Sequence, residues 1–545
     1  MTRSPSFPSY VPTSGNLVRS ATARSGRRVL AVLGDRRLTY AEADERSAAI
    51  GKGLLARGAG KGTRVGLLAG NSPEWIVGWL GITRIGGVAV LLNTYNKARE
   101  LSWLLRHSDV HVLLTVDSHL GHDYLARLEE AVPGLDEQVH GGILVESHPF
   151  LRSIWTWGPG RRPWAAPVEE LVACGQRIGD ELLAACESAV TPADPMVVVY
   201  SSGSTADPKG AVHAHGPAVR HSHNLWQMRD LIEEDVLYTP MPLFWVGGFS
   251  FTLIAAMHAG ATLVFEDQFE PGQTLELIER ERVTQVLGWP HMAKALVDHP
   301  TFRERDLSSI RAGSYGALLP QHLQAGADVP TANSLGMTET LGPHTFDSKE
   351  NPLPPEKEGS FGPSVPGVEH RIVDPVTLEE CPPGRSGEIW LRGYSLMLGL
   401  HKRERDEVFT PDGWYRTGDG GYLDEDGHLY FTGRMGDLIK SAGMNITPRD
   451  VELVLESFPE VTLAFVCGIP AGERGEDVVA AVALTPGASL EEDEARQRVK
   501  SEMASYKVPQ RILVLGSQAE LPWLDSGKVD RRRLTARLDE AFRQE

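Results

Sequence analysis

The sequence predicts an α/β protein, and three observations carry that prediction. Short apolar, β-branched runs at 110–115, 196–200, 262–265 and 461–466 alternate with helix-like segments along most of the chain. Helix starts are legible between those runs. The length of 545 residues, with a hydrophobic share of 41% and a charged share of 23%, fits a globular chain of several folding units. Thr39 with Glu42, and Ser489 with Glu492, form capping-box patterns in which hydroxyl and carboxylate each satisfy a free backbone N–H. Thr447 before Pro448 gives a cap followed by a proline at the first helical position. The most apolar window, 75–92, carries Arg84 at its middle and two glycines just after it, so it reads as a buried helix followed by a strand. A membrane-spanning helix needs about 20 apolar residues, and no integral membrane segment is expected.

Composition narrows the function. Lys plus Arg number 54 against 72 Asp plus Glu, a net charge of −18 that disfavours nucleic acid as a partner. The four cysteines form no CxxC pair, and the first residues lack the apolar core of a secretory signal; the cytoplasm is the expected compartment. Proline and glycine crowd 351–367, a loop region between subdomains. A further change of character near 433–443 precedes a compact C-terminal unit.

The most informative stretch is 200–210 (YSSGSTADPKG), which follows a strand-like run. Ser201, Ser202, Ser204 and Thr205 supply short donors, Gly203 and Gly210 let backbone N–H groups turn inward, and Lys209 adds a full positive charge. A surface turn rich in serine is the bland alternative. The GxxxxGK[ST] phosphate loop is absent, 58–63 (GAGKGT) having the wrong spacing and reading as a helix C-terminal turn. No GxSxG elbow occurs either.

Residues 200–210 resemble the YTSGTTGxPKG signature of the adenylate-forming superfamily, which holds acyl-CoA synthetases, peptide-synthetase adenylation domains and firefly-type luciferases. Five further motifs follow in that family's order: 241–248 (MPLFWVGG), 333–339 (NSLGMTE), 413–419 (GWYRTGD), 433–440 (GRMGDLIK) and 521–528 (LPWLDSGK). The resemblance runs from about Leu38 to Leu534. It implies a large domain, 1–434, of doubly wound α/β subdomains plus a distorted β-barrel. A small mobile α+β domain, 435–545, would follow.

The implied chemistry has two halves. A carboxylate attacks the α-phosphorus of ATP, giving acyl-AMP and pyrophosphate; a thiol, usually that of CoA, then displaces AMP. Lys528, Thr338 and Glu339 match the catalytic positions, with Glu339 as the Mg²⁺ ligand. Nucleotide binding falls to Ser201, Ser202, Gly203, Ser204, Thr205, Lys209, Gly313, Ser314, Leu335, Gly336, Met337, Asp419 and Arg434. Of these, Asp419 would accept the ribose hydroxyls, a two-point task suited to a carboxylate. Trp245, Val246, Gly247 and Gly336 match the acyl pocket, Lys440 and Gly443 the thioester-forming face, and Gly436 the hinge on which the small domain turns.

Departures from the pattern bear on substrate. Trp245 replaces a common histidine and builds a hydrophobic wall, while Leu335 replaces an aromatic that covers adenine. Amino-acid-activating relatives place Asp directly after the phenylalanine of the second motif. Here Phe244 is followed by Trp245, which leaves a substrate ammonium unpaired and disfavours amino acids. Glycine at 336, where acetate-type relatives carry a large aromatic, points to an acid larger than acetate. His213, His215, His221 and His223 form two HxH pairs, for which packing or a substrate-side role outweighs metal binding. The expected partners are a carboxylic acid, ATP and CoA, with an acyl carrier protein as the alternative acceptor; monomer and homodimer both stay open. The rival functions are an acyl-AMP ligase, a luciferase-like oxygenase and a non-catalytic nucleotide-binding paralogue.

Overall fold

The computed structural model describes every residue except 1–4, 202–207, 289, 314–332, 348–352, 436–438, 442–443, 447, 472–475, 504–506, 525–527 and 544–545. The chain divides into two compact units, 1–369 with 392–413, and 370–391 with 414–545. The boundary expected after 434 therefore falls inside the second unit, at the end of the Leu429–Arg434 strand.

The first unit is built on two sheets. One has the strand order Gly399–Leu400, Lys209–Ala214, Pro195–Ser201, Val88–Leu91, Arg64–Leu68, Val112–Val116, Ser153–Trp157 and Ala165–Pro167. From Pro195–Ser201 onward the neighbours are parallel, and the order reverses at Arg64–Leu68, as in doubly wound folds. The other sheet runs Ala312–Gly313, Gln285–Val286, Val236–Tyr238, Thr262–Phe265, Val29–Leu33 and Arg36–Thr39.

Strand alternation explains how helices cover both faces. Ala89 and Leu91 join the core shared by the two sheets, whereas Val88 and Val90 face a separate core under the Ala98–His107 and Tyr124–Ala131 helices. The shared core is filled by the Tyr40–Ala56 and Pro73–Arg84 helices and by the segment 249–259. Trp75 and Trp79 are fully buried there and meet the edge of Phe249 at centroid distances of 5.9 and 4.9 Å.

The window 75–92 folds as expected, as the Pro73–Arg84 helix and then the Val88–Leu91 strand. Arg84 is only 3% exposed; it pairs with Glu187 and, at 3.0 Å, with Asp44, and donates to Ser47 Oγ. A guanidinium is tolerated in that helix because its charge is met on several sides. The Thr39–Glu42 capping box is formed. The Ser489–Glu492 box is not: the helix there runs Glu492–Glu502 with Glu491 at its cap, so the start lies two residues later than the pattern implied. The helix beginning at Pro448 is present, and Thr447 lies outside the described residues. No helix among the described residues is long and apolar enough to cross a membrane.

The second unit contains, apart from residues 368–369 and 392–393, the four-stranded sheet Val368–Val373, Gly387–Gly393, Tyr415–Leu423 and Leu429–Arg434. It also holds the three-stranded sheet Val461–Pro470, Glu476–Leu484 and Arg511–Leu515. One face of this sheet packs on the Pro448–Glu456 and Glu492–Glu502 helices, and the other on Arg531–Arg543.

Candidate active site

The 333–339 motif ends in a tight, buried turn. Thr338–Thr340 forms one 3₁₀ turn, and Leu341 follows at φ 55°, ψ 34°. Left-handed backbone is strained for a leucine and persists only where the surroundings hold it. Here they do. Ser250 Oγ donates to the Leu341 carbonyl, and Leu341 itself is fully buried. Met397 N–H donates to the Glu339 carbonyl at 2.8 Å. His213 Nε2 donates to the Thr338 carbonyl at 2.8 Å, across 125 residues of sequence. The Glu339 residue is 8% exposed.

Leu335 is held on both backbone groups. Its carbonyl accepts from His344 N–H at 2.8 Å, and its N–H donates to Thr345 Oγ1 at 2.9 Å. Gly336 and Met337 pair antiparallel with Gly342 and Pro343. A Cβ on Gly336 would lie 2.8 Å from backbone atoms of Gly342 and Pro343. Glycine is thus required by the close approach of this hairpin, a reason that the reading of open pocket space missed. Gly313 has φ +145° and sits against the Val286 backbone, where a Cβ would come within 2.1 Å of the Val286 carbonyl oxygen.

Lys209 opens the Lys209–Ala214 strand and is exposed; Ser201 closes its antiparallel neighbour and is its register partner. Ser202, Gly203, Ser204, Thr205 and Ser314 lie outside the described residues, as do Gly436 and Gly443, and Lys440 is described only as part of the Ile439–Ser441 strand.

Trp245 is half-buried at the start of the short Val246–Gly248 helix. Its ring lies 5.6 Å from Phe244 and 6.0 Å from Tyr95. Gly247 faces the flexible Met241 thioether. A π-helix, Phe249–Ile254, continues the segment; this rare geometry is frequent at functional sites. Phe251 in it is backed by the half-buried Arg229, which donates to the Phe251 carbonyl and lies 4.2 Å from its ring centroid. Phe346 lies 6.4 Å away on the other side. Tyr95, Phe251 and Phe346 were not found in the sequence, because none falls in a motif.

The four histidines part company. His215 Nδ1 accepts from Ser14 N–H at 3.2 Å, His223 meets Gln227, and His221 lies beside Tyr394 and the Pro343 carbonyl. Burial pulls the pKa of His213, His215 and His221 down to about 4, so each is neutral at neutral pH.

In the second unit, Asp419 and Arg434 are direct cross-strand partners, with Arg434 Nε 2.9 Å from Asp419 Oδ1. Asp419 is buried, and its N–H donates to Thr417 Oγ1 at 2.9 Å. Lys528 is exposed. Its carbonyl accepts from Leu524 N–H at 2.8 Å, and the loop base is closed by Asp530 N–H on the Pro522 carbonyl and by a bridge between Trp523 and Val529.

Comparison with known proteins places the chain in a family. The AMP-binding enzyme family model matches residues 17–401, and the AMP-binding enzyme C-terminal domain model matches 450–528. YngI of Bacillus subtilis is 29% identical over 549 residues, covering 97% of this chain and 98% of that protein. Feruloyl-CoA synthase of Amycolatopsis is 30% identical over 500 residues, covering 90% and 92%. The solved anthranilate CoA ligase AuaEII, in complex with anthranoyl-AMP, superposes with a TM-score of 0.81 at 24% identity over 98% of both chains. The chain belongs to the AMP-binding enzyme family.

Proposed function

We infer that this protein is an AMP-forming acid–thiol ligase whose acid is hydrophobic and larger than acetate. The acid's carboxylate oxygen bonds to the α-phosphorus of ATP and pyrophosphate leaves. The CoA sulfur then bonds to the acyl carbon and AMP leaves. The observation that carries this reading is the joint presence of Thr338, Glu339, Asp419, Arg434 and Lys528 in the ordered sequence motifs that resemble the family's. A non-catalytic paralogue has no need of all five.

Each residue's setting suits its task. The Thr338 side chain is offered by a turn whose carbonyls are fixed from outside, which favours a preformed phosphate contact. Asp419, buried and oriented by Arg434, suits two ribose hydroxyls. Lys528, exposed beside a loop base closed by backbone bonds, suits a charge delivered by a moving segment, 435–545, turning at Gly436. A carboxylate is the hard oxygen donor that Mg²⁺ takes, and Glu339, with its backbone anchored by Met397, would hold it. The cation supplies neutralisation of phosphate charge. Tyr95, Phe244 and Trp245 form one aromatic cluster and Phe251 with Phe346 another, which suits a hydrophobic acid. Feruloyl-CoA synthase, an enzyme named for an aromatic acid, supports that choice. The free cysteines accord with the cytoplasm.

The test is a panel of aryl, medium-chain and long-chain acids with ATP and Mg²⁺, with and without CoA, read by mass spectrometry. A thioester that needs CoA is expected. Adenylate that accumulates whether or not CoA is present would move the assignment to an acyl-AMP ligase. Neither product from any acid would overturn the catalytic reading.

A further inference from the structure

We propose that His213 is a positioning residue for adenylation: it locks the Thr338–Glu339 turn to the strand that carries the phosphate-loop lysine. This rests on the reading of Thr338 and Glu339 as ATP-facing residues and goes beyond it, since His213 is fully buried and bonds the turn's backbone.

The Lys209–Ala214 strand leaves the phosphate loop. Side chains alternate along a strand, so Lys209, Ala211 and His213 share one face. His213 is fully buried, and its Nε2 lies 2.8 Å from the Thr338 carbonyl oxygen. A carbonyl only accepts, so Nε2 carries the proton. Burial keeps the ring neutral, with a pKa of about 4. Nδ1 is buried without a hydrogen-bond partner among the described residues, so the imidazole's one polar contact there is with Thr338. The Thr338 carbonyl also takes the Leu341 N–H at 3.1 Å, which fills both of its lone pairs.

A second tie runs beside the first. Leu398 N–H donates to the Val212 carbonyl at 2.8 Å, and the preceding residue, Met397, donates to the Glu339 carbonyl. Gly399 and Leu400 pair with Val212 and Ala211. Consecutive carbonyls of the Thr338–Glu339 turn are therefore fixed from the same strand, one through the His213 side chain and one through the 397–400 segment. That strand begins at Lys209. The groups assigned to the phosphates thus share one rigid mount, and His213 is the side chain that joins its two parts.

The experiment is titration calorimetry of ATP with Mg²⁺ on the full chain at neutral pH, comparing wild type, His213→Phe, His213→Gln, Thr338→Ala and the His213→Phe/Thr338→Ala double variant. His213→Phe fills the space without a donor and is expected to weaken binding by about tenfold. His213→Gln keeps an N–H donor and is expected to stay within about threefold of wild type. The double variant is expected to lose less than the sum of the two single losses, because His213 acts in part by positioning the Thr338 side chain. Wild-type affinity in His213→Phe, failure of glutamine to rescue, or additive losses would each overturn the proposal. A measurement on the unmutated protein keeps it testable should the phenylalanine variant not fold. With ¹⁵N-labelled histidine, the Nε2–H resonance of His213 is expected to move on adding ATP, and an unmoved resonance counts against the proposal. A wild type that binds no ATP would instead overturn the ATP reading itself.

Discussion

The turn that carries Thr338 and Glu339 and the loop that carries Lys528 solve opposite problems. The turn is buried, bent through a left-handed Leu341, and gripped on three of its carbonyls by His213, Met397 and Ser250. Lys528 is exposed, and among the described residues the backbone bonds around it lie at 522–524 and 528–530. The fully buried His213 bonds the turn and His221 lies beside the next strand, whereas residues 429–545 contain no histidine. On the proposed reading, one site stays still and the other is carried. The proposed two half-steps use both, with the lysine assigned to adenylation alone.

Acid should break this contrast most strongly. His213, His215 and His221 have folded pKa values of about 4, and His258 about 3, all through burial. The unfolded chain protonates these rings near their ordinary value of about 6.5. In between, the unfolded state binds more protons, so stability is complete above about 6.5 and falls as pH drops towards 4. Each tenfold loss of proton affinity on folding is worth about 1.4 kcal/mol, so these rings together contribute several kcal/mol. Scanning calorimetry across that window should show the melting transition of the first unit falling steeply. A much smaller change is expected for the second unit, where His370 is the one ring that burial holds near pKa 4 among the described residues. Parallel falls would refute the contrast.

Asp419→Ala probes the nucleotide side of the second unit. It removes a buried acceptor for ribose and should weaken ATP binding by about 1.5–3 kcal/mol. Arg434 is 53% exposed on its side chain, so losing the pair should cost folding less than about 1 kcal/mol. Calorimetric titration and thermal melting separate the two effects; unchanged ATP affinity would contradict the ribose assignment. The smallest change comes from Ser250→Ala, which leaves the buried Leu341 carbonyl without its hydroxyl donor. A loss of about 1–2 kcal/mol in stability is expected. It should be joined by a drop in adenylation rate with little change in CoA KM. A full rate at lowered stability would show that the grip on the turn serves folding alone.

Much of this was legible in the sequence, and what was not has a physical reason. The strand at 262–265, the helix followed by a strand in window 75–92 and the Thr39–Glu42 cap are local patterns, and all appear as read. Asp419 and Arg434 were singled out from separate motifs, and the register of one hairpin brings them together. Ser250, Met397 and Tyr95 were invisible because their contributions depend on contacts between distant segments. Met397 acts through a backbone N–H that any residue except proline would offer. Gly336 marks the limit of arguing from residue size. Its missing Cβ points at Gly342 and Pro343, so the residue answers first to a hairpin. Ser489 shows the same limit at a helix start, where Glu491 took the cap.

The central claim, a fixed nucleotide pocket served by a delivered lysine, is tested most directly by Lys528→Ala in the two half-reactions measured separately. Removing one preorganised charge contact to the developing phosphoryl charge is worth about 10²–10³ in rate. Acyl-adenylate formation should fall by at least that much, the melting temperature should not change, and thioester formation from supplied acyl-AMP should stay within a few-fold of wild type. Equal loss in both half-reactions would contradict the account.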